Sequence, residues 1–122
     1  METQLISKDG KSYIECIPSG WRLESEREAL DLVAVCVENG SDRLMLHAEN
    51  LTENFYRLRT GLAGDILQKF VNYRIRVAAI LPLELINQGH FWEMVLETNR
   101  GNQFRVFQSH GQAEQWLIGE GE

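Results

Sequence analysis

The sequence predicts an α/β protein in which helices flank a small mixed sheet with parallel strands at its centre. Three observations predict it. Short apolar runs at 12–17, 43–47 and 76–81 alternate with longer segments of helical period. Asp9-Gly10 separates the run at 12–17 from another at 3–8 as a two-residue hairpin turn, because Gly accepts positive φ at no steric cost. The 122 residues are 43% hydrophobic and 25% charged, an ordinary globular balance that suits one core. A chain this long buries roughly two-thirds of its unfolded surface, so it needs neither a disulfide nor a structural metal.

Residues 3–8 and 12–17 read as two strands joined by Lys8-Asp9-Gly10-Lys11, and Pro18-Ser19-Gly20 ends the second. A first helix is expected from Ser25, which has capping-box spacing to Glu28. Ala29, Leu32, Val33, Cys36 and Val37 form its apolar face, and Asn39-Gly40 stops it. A strand follows at 43–47. Leu51 to Tyr56 then reads as a linker with room for one helical turn.

A second long helix is expected over about 60–73, with Leu62, Ile66, Phe70 and Tyr73 in one row and Ala63, Leu67 and Val71 beside it. Gly64 inside it costs about 1 kcal/mol relative to Ala, which points to a close backbone neighbour or a tight surface for a partner. Arg76 to Leu81 reads as a buried strand stopped by Pro82. Residues 82–89 read as a loop. Residues 91–98 fit a helical row through Phe91, Val95 and Thr98, but their alternation favours a strand. Asn99-Arg100-Gly101-Asn102 would turn that strand into a last one, Gln103 to Phe107. A short helix at 112–118 and a mobile acidic tail, Gly119-Glu-Gly-Glu122, complete a single domain with its core at about 3–118. The expected order is β-β-α-β-α-β-β-β-α, with right-handed crossovers in the parallel centre.

That order, with Thr60-Gly61 opening the second helix, resembles the STAS fold of anti-sigma-factor antagonists and sulfate-transporter tails. The chain more closely resembles a family of small bacterial proteins known as domain of unknown function 4180. The residues carrying this are Arg59-Thr-Gly-Leu-Ala-Gly-Asp-Ile-Leu-Gln-Lys-Phe-Val-Asn-Tyr-Arg74 and Glu97-Thr-Asn-Arg-Gly-Asn-Gln-Phe-Arg-Val-Phe107. The likeness spans roughly residues 5–118, and the family brings no established activity with it. The STAS resemblance implies a protein-binding regulatory module, with Thr60 at the place of a phosphoacceptor serine. Arg59 and Leu58 stand where acidic or hydroxyl residues precede that serine. The expected hairpin at 91–107 departs from the STAS order, which has a helix before the last strand.

The net charge of -6 argues against non-specific nucleic-acid binding, which needs a positive field. No apolar run is long enough to span a bilayer and no signal peptide is visible, so a cytoplasmic location is expected. Cys16 and Cys36 are expected as buried free thiols, with no ligand spacing around them.

Thr60 can cap a helix or accept a phosphate, whose charge Arg57 and Arg59 would face. Gly61 and Gly64 leave room for close approach, and Tyr56 is expected to be partly exposed. Asn99 and Gly101 suit a turn, and Arg100 either stays wet at its tip or anchors an anion. His47 and Glu49 follow a strand end, where open α/β sheets bind ligands, and form the minimum for general acid–base work. No nucleophile or oxyanion motif accompanies them, so a non-enzymatic module is expected. His90 and His110 lack i, i+4 partners, so neither a metal nor a cofactor is expected. Phe55, Tyr56, Trp21 and Trp92 read as core or as the wall of an apolar pocket.

Two functions follow. One is a protein-interaction module docking an unknown protein through residues 55–64, with an exposed sheet edge or helix face open to pairing with a second copy. The other is a small-molecule or lipid-binding module with 82–89 as an apolar lid, which requires a pocket of about 300 Å³ or more. Below both stands an enzyme built on His47 and Glu49.

Overall fold

A computed structural model describes residues 1–119; residues 120–122 of the expected acidic tail lie outside the described residues. Five strands form one sheet in the order β1-β2-β3-β4-β5: Thr3–Lys8, Lys11–Cys16, Arg43–His47, Arg76–Ile80 and Phe104–Phe107. β1 and β2 pair antiparallel through the predicted hairpin, with Asp9 at φ 54° and Gly10 at φ 78°. β2, β3, β4 and β5 run parallel.

Helices α1 (Glu26–Glu38), α3 (Leu62–Asn72) and α5 (Phe91–Thr98) connect the parallel strands. Their apolar faces join Ile14, Leu44, Leu46, Val77 and Val106 in one core, so all three lie on the same side of the sheet. A constant strand order with one crossover hand requires this. On the other side α6 (His110–Ile118) covers Tyr13, Met45 and Ala78 with Ala113, Trp116 and Leu117. Short helices α2 (Glu53–Tyr56) and α4 (Leu83–Ile86) sit in the connections after β3 and β4.

α1 begins as expected at Ser25, whose Oγ accepts from Arg27 N at 3.2 Å and donates to Glu28 Oε1 at 2.7 Å. The Ser25 bond holds the Glu28 carboxyl below its ordinary range. Both cysteines are buried and free; burial pushes Cys16 up to about 11 and Cys36 to about 12.

Two expectations are corrected. Residues 91–98 form helix α5, not a strand, so the hairpin at 91–107 and its sixth strand do not exist. A strand there would have put Glu93 and Glu97 on one face with Phe91 and Val95. The helix buries Phe91 and Val95 and leaves both acids exposed. Parallel pairing of β4 with β5 also needs a crossover of a dozen or more residues, which a hairpin cannot supply. The stretch 82–89, expected as a loop, contains α4.

Candidate functional site

The C-terminal ends of the parallel strands carry most of the singled-out residues. β3 ends at His47, and its chain continues through a 3₁₀ turn (Ala48–Asn50), α2, a second 3₁₀ turn (Leu58–Thr60) and Gly61 into α3. β4 ends at Ile80 and continues through Pro82, α4 and Gln88–His90 into α5. These two neighbouring connections form a ridge and a cleft beyond the carboxyl ends of β3 and β4.

Asn50, fully buried, pins the base of the ridge. Its Oδ1 accepts from His47 N at 2.8 Å, and its backbone carbonyl accepts from Leu23 N at 2.7 Å. Nothing in the spacing of the sequence distinguishes this asparagine from a turn residue.

Thr60 is exposed at the crest. Its Oγ1 lies 2.8 Å from the carbonyls of both Asn54 and Arg57, either of which can take its single proton, and accepts from Leu62 N at 3.2 Å. It therefore satisfies one of the free N–H groups at the start of α3, although the helix starts at Leu62 rather than at 60 and Gly61 holds the cap position. Gly61 sits at φ 77°, in the left-handed region that disfavours side chains. Gly64 faces open space: a Cβ there would meet nothing within 4 Å. Within the chain, the close neighbour expected at Gly64 is absent.

Arg57 and Arg59 are exposed beside Thr60. Arg57 is 3.4 Å from Glu53, an exposed pair that contributes little stability. Tyr56, expected to be partly exposed, is 6% exposed, because its ring packs edge-on against Phe91 with centroids 5.1 Å apart. Its hydroxyl is buried with no hydrogen-bond partner among the described residues, and burial pushes its pKa up to about 12. The cleft beside it encloses about 440 Å³ and is lined by Tyr56, Arg57, Leu58, Arg59, Gln88, Gly89 and His90. A second cleft of about 250 Å³ shares Tyr56 and Gln88, and Glu49 lines it with Arg22 and Glu53.

His47 does not pair with Glu49. Side chains alternate across a strand, so His47 points to the α6 face, where its Nε2 donates to Glu15 Oε2 at 2.7 Å. His110, from the first turn of α6, approaches the same carboxylate at 3.3 Å, and the two imidazoles stack with centroids 6.3 Å apart. Glu15 and His110 join this cluster through pairing and topology that no local spacing signals. It lines neither cleft described above. Among the described residues, no group of three or more His, Cys, Asp and Glu is arranged to hold a metal ion.

Asn99 and Arg100 lie apart from the ridge, after α5. Asn99 is the C-cap of that helix at φ -69°, so neither it nor Arg100 uses a left-handed turn. Its side chain accepts from Val106 N at 2.8 Å and donates to Val106 O at 3.3 Å. Arg100 is exposed. No described helix is long and apolar enough to cross a membrane.

Residues 8–117 match the family described as domain of unknown function (DUF4180), which covers most of the chain. The chain belongs to that family. No curated protein and no solved structure matches it.

Proposed function

We propose that this DUF4180 protein is a non-enzymatic, STAS-like regulatory module that docks a protein partner on the ridge from Tyr56 to Gly64. One observation carries the proposal. Arg59, Thr60, Gly61 and Gly64 stand together in solvent, and a Cβ at either glycine would meet nothing within 4 Å. Such a surface admits a partner backbone closely, and its guanidinium groups suit a partner that presents carboxylates or carbonyls. The helix before the last strand matches the order that the STAS resemblance implies and supports that part of the proposal.

Regulation by phosphorylation at Thr60 has a physical route. The hydroxyl donates to the carbonyls of Asn54 or Arg57, each at 2.8 Å. A phosphate ester has no such proton and sets anionic oxygens against those carbonyls, so the turn from 54 to 60 would open. The partner would then meet a different surface. The test is affinity capture from the source cells with wild type and Thr60→Glu, alongside mass spectrometry of the native protein. A partner bound by wild type alone, with phosphate found at Thr60, supports the switch. Equal capture by both proteins, or no phosphate under any growth condition, removes it.

A further inference from the structure

From the cleft beside the ridge we infer a binding site for a small organic anion, one with an aromatic or similarly compact apolar body and a carboxylate or phosphate group. The site shares Tyr56, Arg57, Leu58 and Arg59 with the protein-docking ridge but does not rest on that reading, since a small ligand held there needs no protein partner. Its two fixed charges are both basic, Arg57 and Arg59, in a chain whose net charge is -6. Glu53 and Glu93 touch Arg57 and His90 at 3.4 and 3.3 Å, but neither acid lines the cleft and both are exposed. Arg59 has no ion-pair partner among the described residues, so its planar fork is available for two parallel bonds to one acid group. Leu58 and the Tyr56 ring supply apolar wall. At about 440 Å³, the cleft is within the range of small-ligand sites.

The Tyr56 hydroxyl is the independent pointer. It belongs to a side chain 6% exposed, it has no partner, and its residue lines both this cleft and the neighbouring one. A buried hydroxyl without a partner is costly, and native structures usually satisfy it with water or a ligand. Burial, with the Glu49 carboxylate next, raises its pKa to about 12, so the phenol stays protonated and keeps a donor.

The test titrates the full chain, labelled with ¹⁵N, against phenylphosphate, phenylacetate, inorganic phosphate and benzyl alcohol, following each backbone amide. Phenylphosphate or phenylacetate should shift the amides of 56–59 and 88–90 saturably, and benzyl alcohol should bind at least about tenfold more weakly. Arg59→Glu should weaken binding about tenfold or more, and Tyr56→Phe about threefold or more. Gly64, outside the lining, serves as the control: Gly64→Lys should leave the titration unchanged, whatever it does to protein docking. No saturable shift at these amides with any probe up to about 20 mM would overturn the inference, since that corresponds to negligible affinity. Benzyl alcohol binding as tightly as the acids, or undiminished binding to Arg59→Glu, would overturn it equally.

Discussion

Asn99 takes the place of a sixth strand. The carbonyls of Gln103 and Phe107 bond to β4, so by alternation the Val106 N–H and carbonyl point away from it, along the free edge of the sheet. The Asn99 amide answers both groups, as a neighbouring backbone would, and so blunts an edge open to pairing with another chain. Removing it leaves both groups without a protein partner. Asn99→Ala should therefore lower stability in urea unfolding by about 1–3 kcal/mol, whereas the adjacent exposed Arg100→Ala should change it by less than about 0.5 kcal/mol. Composition alone marks Asn99 as a turn residue, and the sequence cannot show its real partner because Val106 faces it only after α5 has docked. His47 was legible as a strand-end histidine, but its partner was not. Glu49 is near in sequence, whereas Glu15 arrives from the adjacent strand.

α3 illustrates what helical periodicity conveys and what it omits. Ala63, Ile66 and Phe70 are buried as their spacing predicts, and α1, β3 and β4 were legible in the same way, but Val71, Tyr73 and, on α1, Val37 are exposed rather than part of the apolar faces. The ends of α3 were harder to read, because a 3₁₀ turn and a left-handed Gly61 intervene before its first residue. Arg74, just past its last turn, adopts φ 59°, while Ile75 N donates to Phe70 O at 2.8 Å. This is the bond of a Schellman stop, with arginine where glycine is usual. Two substitutions should thus stabilise the helix: Gly64→Ala by about 0.5–1 kcal/mol through propensity, and Arg74→Gly by about 1 kcal/mol through relief of the left-handed backbone. Thermal or urea unfolding reads both directly. A destabilised Gly64→Ala would mean that the position needs the bare backbone within the chain itself. α5 was misread because eight residues with an apolar residue at nearly every other position satisfy both periods. Only the parallel pairing of β5 decides between them.

At the scale of the molecule the two faces of the sheet are unequal, with three crossover helices on one and α6 alone on the other. Glu114 ties α6 across to the first hairpin, accepting from Tyr13 Oη at 2.6 Å and from Lys8 Nζ at 2.9 Å. Those bonds, Tyr13 first and Lys8 next, hold its carboxyl below the ordinary range. A carboxylate depressed in the folded state contributes stability above its unfolded pKa, about 4.3, and loses it as pH falls through the folded value. Wild type should accordingly be more stable than Glu114→Gln at neutral pH, and the gap should narrow on acidification below about pH 4. Urea midpoints measured across that range decide it. The acidic balance, the hairpin and the mixed sheet were legible in composition and pattern. The meeting of the β3 and β4 connections into a ridge and a cleft was not, because it depends on which strands become neighbours. The ridge itself is the centre of the functional account, and Gly64 is its most direct probe, since a side chain there fills open space without disturbing the core. The decisive measurement is quantitative affinity capture from the source cells with wild type, Gly64→Lys, and Val37→Lys on the exposed face of α1 as a control. Docking on the ridge predicts a partner retained by wild type and Val37→Lys and lost with Gly64→Lys; the same partner held equally by all three proteins would contradict it.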